Sequence, residues 1–276
     1  MEKPKFWGLH AAPSKKLKIF LAIIPFIILI GSYLIASDIR HKENPSDKLL
    51  PTVSKMVAAT NKMAFEENKR TGKYLLWHDT QASLKRLAIG VGLAALVGLL
   101  LGLNMGMYKG FSALASPFVT FVSMIPPLAI LPILFISFGV GELGKVALIF
   151  LGVFPVITRD IYLAVSKVPR EQVVKALTLG ASSLTIVYRI VMPQILPRLI
   201  DAIRLSLGAA WLFLIASEAI ASTEGLGYRI FLVRRYLSMD VIIPYVLWIT
   251  MLGFVMDYIL KSLIRLKFKW YSSQGK

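Results

Sequence analysis

The run Gly139-Val140-Gly141-Glu142-Leu143-Gly144-Lys145 fits G-x4-G-K, the opening of a phosphate-binding loop. Two features argue against that chemistry. Val146 stands where a Ser or Thr would reach magnesium, and the run follows a long apolar stretch instead of a buried strand. The chain is therefore expected to carry no nucleotide site of its own. His10, His41 and His78 are scattered without metal-ligand spacing, and cysteine is absent, which removes thiolate ligands and thiol nucleophiles. Neither a catalytic residue nor a metal site is expected.

The remaining ionisable residues of interest sit inside or beside apolar runs. Arg159, Asp160, Asp201, Arg204 and Asp257 gather near what would be one end of three spans. Charges at such depth are costly and usually pair or face water. A structural ion cluster is the favoured reading, a gate the alternative. Glu218 follows the uncharged run 205–217, so it must face the bundle interior or an aqueous cavity. Pairing with a polar neighbour and lining a pathway, beside Ser217, are both open. Ser123 precedes a proline-rich stretch, Pro126, Pro127 and Pro132, where missing amide donors expose carbonyls to protein or to a cavity. This stretch is a candidate for pathway-lining backbone, or else a kink needed only for packing.

A third pattern is mechanical. Val174-Lys175-Ala176-Leu177-Thr178-Leu179-Gly180 is followed after nine residues by Ile190-Val191-Met192-Pro193. The spacing predicts a helix ending near Ala176 and Leu177, a turn at Gly180 continuing into Ala181, and a second helix that Pro193 ends. A short helix pair of this kind suits docking into a groove on a soluble partner.

The elements that must position these residues are membrane spans. Of 276 residues 56% are hydrophobic and 17% charged, with mean hydropathy +0.67. Segments 87–108 and 110–141 carry no charge at all, and about 20 apolar helical residues cross a bilayer. Six spans are expected, at 17–37, 82–104, 113–138, 143–165, 198–222 and 241–263. The domain plan is a basic tail at 1–16, a first span at 17–37, an extracytoplasmic segment at 38–80 with an amphipathic piece at 46–65, a core at 81–263 that includes the loop 166–197, and a basic tail at 264–276. Gly98, Gly102 and Gly106 recur every fourth residue and predict close helix packing within the bundle in preference to a dimer seam. The net charge of +17 is assigned to lipid headgroups and the positive-inside rule, not to nucleic acid, because Lys and Arg concentrate beside span ends. Both tails are placed in the cytoplasm of a multi-pass bacterial inner-membrane protein.

The loop with A-x-x-x-G-x9-I-x-[LM]-P between two spans resembles the "EAA" coupling segment of bacterial ABC importer permeases. The similarity extends through Ala82-Ser83-Leu84-Lys85-Arg86-Leu87, Ile125-Pro126-Pro127-Leu128, Phe138-Gly139-Val140-Gly141, Ser217-Glu218-Ala219 and Gly225-Leu226-Gly227-Tyr228 to the nitrate, sulfonate, taurine and bicarbonate branch. It covers roughly residues 75–260. One departure stands out: the motif's glutamate falls at Val174 and its first alanine at Lys175, with Glu171 the only acid nearby. The resemblance implies an all-α type I importer permease (MetI-like) fold. It also implies a homodimer around the translocation pathway, two ABC ATPase subunits docked on Glu171, Lys175, Ala176, Leu177, Gly180, Ala181, Ile190 and Pro193, and a substrate-binding protein outside. The transported solute would be a small anion or zwitterion. A self-sufficient channel or secondary carrier is the rival; it would need intramembrane ion sites and repeats that the sequence does not show.

Overall fold

A computed structural model describes residues 13–69 and 71–273; the extreme basic tail at 1–12 lies outside it. The described residues are helical. α1 (Lys15–Glu43) starts on a Ser14 cap, whose Oγ accepts the Leu17 N–H at 3.3 Å, and buries only Ser37. Phe26 and Leu29, like most of its apolar side chains, stay exposed, as lipid contact requires. At its end the chain folds back: Arg40 pairs with Asp47 at 3.0 Å, Ser37 Oγ donates to the Leu50 carbonyl and Tyr33 OH to the Pro51 carbonyl. These contacts and two prolines, Pro45 and Pro51, delay α2 to Val53–Phe65, so the amphipathic helix is shorter than the expected 46–65. The Trp77 indole N–H, donated to the Ala64 carbonyl at 3.1 Å, pins α2 to the next helix.

α3 (Leu75–Met107) begins well before the expected second span, so the boundary drawn at 80/81 falls inside a helix. α4 (Lys109–Met124) and α5 (Leu131–Phe138) share what was expected as one kinked span. They meet at 83°, as a broken span or re-entrant loop. Ile125 and Pro126 each precede a proline, a position that disfavours the helical region, and both are extended, with ψ of 121° and 116°. Two such residues in succession break the helix outright.

α6 (Glu142–Ser166) lies along α3 as the most extensive helix pair, and the glycines explain why. A Cβ on Gly90 would stand 2.7 Å from Ile149, on Gly98 2.8 Å from Ile157, and on Gly102 2.7 Å from the Thr158 carbonyl oxygen; at Gly106 it would strike Val165. The expected small-residue face therefore serves packing within the subunit. α7 (Arg170–Thr178) follows, then the three-residue α8 (Ser183–Thr185), a π-turn (Ile186–Val191) and α9 (Met192–Ala221). The last three run on as one apolar helix, Ser183–Ile220. Pro193 does not end a helix, contrary to expectation: it sits in the first turn of α9. The wider π pitch immediately upstream moves the carbonyls that a proline ring would otherwise strike. The fifth span thus starts at the coupling loop itself.

α10 (Leu226–Arg234), unforeseen as a helix, is short and polar-ended; α11 (Met239–Lys267) is the final span and α12 (Lys269–Ser273) a single turn. Among the described residues five helices are long and apolar enough to cross a membrane, six if the bent pair counts as one.

Candidate functional site

The loop between α6 and α8 forms as its residue types dictate. α7 carries Glu171 in its first turn and Lys175 in its last, each matched to the helix dipole. Gly180 adopts φ +82°, its N–H donates to the Leu177 carbonyl at 2.9 Å, and the Ala181 N–H donates to the Ala176 carbonyl at 3.0 Å. This paired closure is the glycine C-terminal turn. Ser182 Oγ then caps the next helix by accepting the Thr185 N–H at 3.2 Å. Ala176 is buried, Ala181 and Ile190 pack against the core from partly buried positions, and Pro193 is exposed. Val174, Leu177, Leu179 and Leu184 point outward, Leu179 at 88% exposure. The turn therefore carries a bare apolar face. Gln194 Nε2 donates to Gln172 Oε1 at 3.1 Å, tying α7 to the start of α9.

Just inside this turn lies an ion cluster, and it differs from the expected one. Asp160 pairs with Arg198, a residue outside the expected set. Arg204 donates to Asp201 at 2.7 Å and to both oxygens of Asp257, at 2.8 and 3.2 Å. Tyr271 on α12 donates to Asp201 at 3.1 Å; burial and that neighbouring carboxylate push its phenol pKa upward, keeping it a donor. Arg159 is exposed and outside both groups, because one residue turns α6 by about 100° and sets it on a different face from Asp160. The expected five-residue cluster is two pairings that bind α6, α9, α11 and α12.

At the other end of the bundle a larger network surrounds Arg86, which is 2% exposed. It donates to Glu142 at 2.6 and 2.8 Å, to Glu218 at 2.7 Å and to the Glu224 carbonyl at 2.9 Å. Glu218 is fully buried and also accepts from Ser83 Oγ and from the Gly227 N–H. Gly225 holds φ +119° with the Glu218 carboxyl where its Cβ would stand. Asp79 accepts from the Gly225 N–H at 3.1 Å, Arg229 at 2.8 Å and Tyr245 at 3.3 Å. Lys145, the lysine of the phosphate-loop look-alike, pairs with Glu142 at 3.0 Å and Ser222 Oγ at 3.1 Å. Its Nζ is consumed structurally.

Of the two readings open for Glu218, the structure shows pairing with polar neighbours. Glu218 and Ser217 face the interior of the subunit, the Ser217 hydroxyl donating to the Leu214 carbonyl at 2.8 Å. Ser123 is half-buried and donates to the Thr120 carbonyl, while Pro126 is exposed at the break between α4 and α5. Arg86, Asp79, Glu142 and Arg229 were not foreseen as members of a site. Ser83 and Arg86 stand three apart, on one helix face, which was the available signal. Among the described residues no three His, Cys, Asp or Glu side chains gather to hold a metal.

Comparison with known proteins gives a consistent picture. The family model described as "Binding-protein-dependent transport system inner membrane component" matches residues 94–268. The taurine transport system permease protein TauC of Escherichia coli K12 is 31% identical over 196 residues, covering 71% of this chain and 71% of that one. The putative aliphatic sulfonates transport permease protein SsuC of Bacillus subtilis 168 is 28% identical over 228 residues, covering 83% and 80%. Among solved structures, the inward-facing MetNI methionine ABC transporter superposes with a TM-score of 0.58 at 18% identity, over 67% of this chain and 93% of that chain.

Proposed function

Because this chain belongs to the family of binding-protein-dependent transport system inner membrane components, and is thus a membrane-spanning ABC importer permease, we propose that two copies enclose a pathway for a small anionic or zwitterionic solute of the nitrate, sulfonate, taurine or bicarbonate kind. ATP and magnesium bind on two partner ATPase subunits, and a substrate-binding protein delivers solute from the far side. The chain sits in a bacterial inner membrane with both tails, 1–16 and 264–276, in the cytoplasm. Segment 38–80 lies outside and the turn within 166–197 meets the ATPase.

The observation that carries this reading is the capped turn at Gly180, with an exposed apolar face, leading without interruption into the helix Ser183–Ile220. A force on the turn moves a span. The names of the relatives, taurine and aliphatic sulfonates, support the solute class. Val174 replaces the motif's glutamate, so the contact here rests on apolar surface and on Lys175 and Glu171.

The test is ATPase activity in lipid nanodiscs, with the chain copurified with the subunits it brings from its host membrane. Gly180→Pro cannot hold φ +82° and removes the N–H donated to Leu177, so it should silence or uncouple an associated ATPase. If no ATPase associates and the lone chain moves solute down a gradient, the carrier reading replaces this one.

A further inference from the structure

A basin of about 430 Å³ opens between the end of α9 and α10, a size within the range of small-molecule sites. Its wall carries Arg234, Arg235, Tyr228 and Ser222 over an apolar floor that includes Ile220 and Phe231. No carboxylate lines it. The acids nearby are already committed: Glu142 and Glu218 to Arg86, Asp79 to Arg229, and Glu224 to His78. The Arg235 backbone N–H closes α10 on the Leu232 carbonyl, and its guanidinium has no hydrogen bond or ion pair among the described residues. Arg234 is held only by its stacking over the Phe231 ring, 5.6 Å from the centroid, which uses the face of the guanidinium and leaves its N–H donors free. Behind Ser222 stands the buried ammonium of Lys145. Two guanidiniums with unspent donors, the Tyr228 hydroxyl beside them and no carboxylate in the lining form a receptor for a planar or tetrahedral oxyanion.

The basin also adjoins an open face of α9, the helix that follows the coupling turn. The outward face of α9 carries Leu205, Leu212 and Ile220, all exposed, and Gly208, where an added Cβ would meet nothing within 4 Å. That open stripe runs from the coupling end to the floor of the basin.

We propose that Arg234 and Arg235, with Tyr228 beside them, form an anion subsite at the mouth of the pathway, taking the sulfonate, carboxylate or nitrate group of the solute as it arrives. The assignment rests on the importer reading and deepens it. The same chemistry would hold a lipid phosphate, so the source must be resolved by the experiment.

The probe is arginine modification by phenylglyoxal, read residue by residue by mass spectrometry on the full chain with its associated subunits in nanodiscs. Ethanesulfonate, taurine, nitrate or bicarbonate replaces chloride at constant ionic strength. Modification of Arg234 and Arg235 should slow severalfold with at least one of the four, while Arg159, exposed and away from the basin, reacts unchanged. In Arg234→Gln, Arg235 remains as reporter, and the concentration giving half protection should rise about tenfold, the loss of one charge-assisted contact. Equal modification rates with all four anions would overturn the subsite, as would protection that follows the phosphatidylglycerol content of the disc and ignores added solute. Protection by solute in a preparation that contains no ATPase would keep the subsite and defeat the importer reading instead.

Discussion

Arg86→Met tests the network that closes the far end of the bundle. Methionine keeps the length and removes the charge. Glu142 loses a partner too, but its side chain is 60% exposed and water can replace the contact. Glu218 is different: it is fully buried, and it would keep only Ser83 and the Gly227 N–H as partners. Stranding one member of a buried pair costs about 3–5 kcal/mol, which for a chain of this length lowers Tm by roughly 6–20 °C. The melt can be followed by intrinsic fluorescence in nanodiscs, because Trp248 donates to Thr80 at 2.9 Å and meets Trp77 edge-on, directly beside the network. Adding Glu218→Gln to Arg86→Met removes the stranded charge and should restore at least half of the lost Tm. The two changes are in contact, so they should be far from additive. An Arg86→Met melt within about 1 °C of the parent, where a cost of a few tenths of a kcal/mol would lie, would refute the reasoning. So would a double variant less stable than Arg86→Met by the full effect of Glu218→Gln alone.

Two further outcomes are expected. Gly102→Ala drives a Cβ to 2.7 Å from a backbone carbonyl on α6 and should cost about 1–3 kcal/mol as α3 and α6 separate. Gly92→Ala meets nothing within 4 Å and should be neutral or stabilising by up to about 1 kcal/mol; equal melts for the two variants would contradict the packing account. Burial works to raise the Asp47 pKa, but the Leu49 and Leu50 amides and Arg40 outweigh it and hold it below the ordinary carboxylate value. Its hold on the turn after α1 is thus complete above the unfolded value of about 3.9 and fades as pH falls through the lower folded one. Hydrogen exchange at residues 47–50, corrected for intrinsic rate, should rise across that window in the parent and stay flat in Asp47→Asn.

Where the sequence alone sufficed, a single local rule governed the outcome. Uncharged runs of bilayer length made spans, glycines at every fourth position made a close helix pair, and Gly180 made a turn. Each miss involved a rule overridden from elsewhere in the chain. Pro193 reads as a terminator by itself, yet the π-turn ahead of it lets the helix continue. Pro126-Pro127 reads as a kink, but two successive residues outside helical ψ gave an 83° break. Glu218 could be read as lining a pathway because its partner, Arg86, lies 132 residues away, and no periodicity connects them. Arg159 and Asp160 are adjacent in sequence but lie on different faces of α6, so only the second joins a cluster.

The helix Ser183–Ile220 has 38 residues, so it is about 57 Å long at 1.5 Å per residue. Its first residues follow the turn at Gly180 and its last carry Glu218. A strut of that length tilting by 10° about one end sweeps the other through about 10 Å, several times the diameter of a water molecule. Small angular changes at the turn are therefore geometrically magnified at the opposite membrane face, with no relay of side-chain rearrangements in between. The π-turn, Ile186–Val191, lies close to the fulcrum, where bending wastes the most travel. Stiffening or loosening those six residues would retune the stroke of the whole molecule without touching either end.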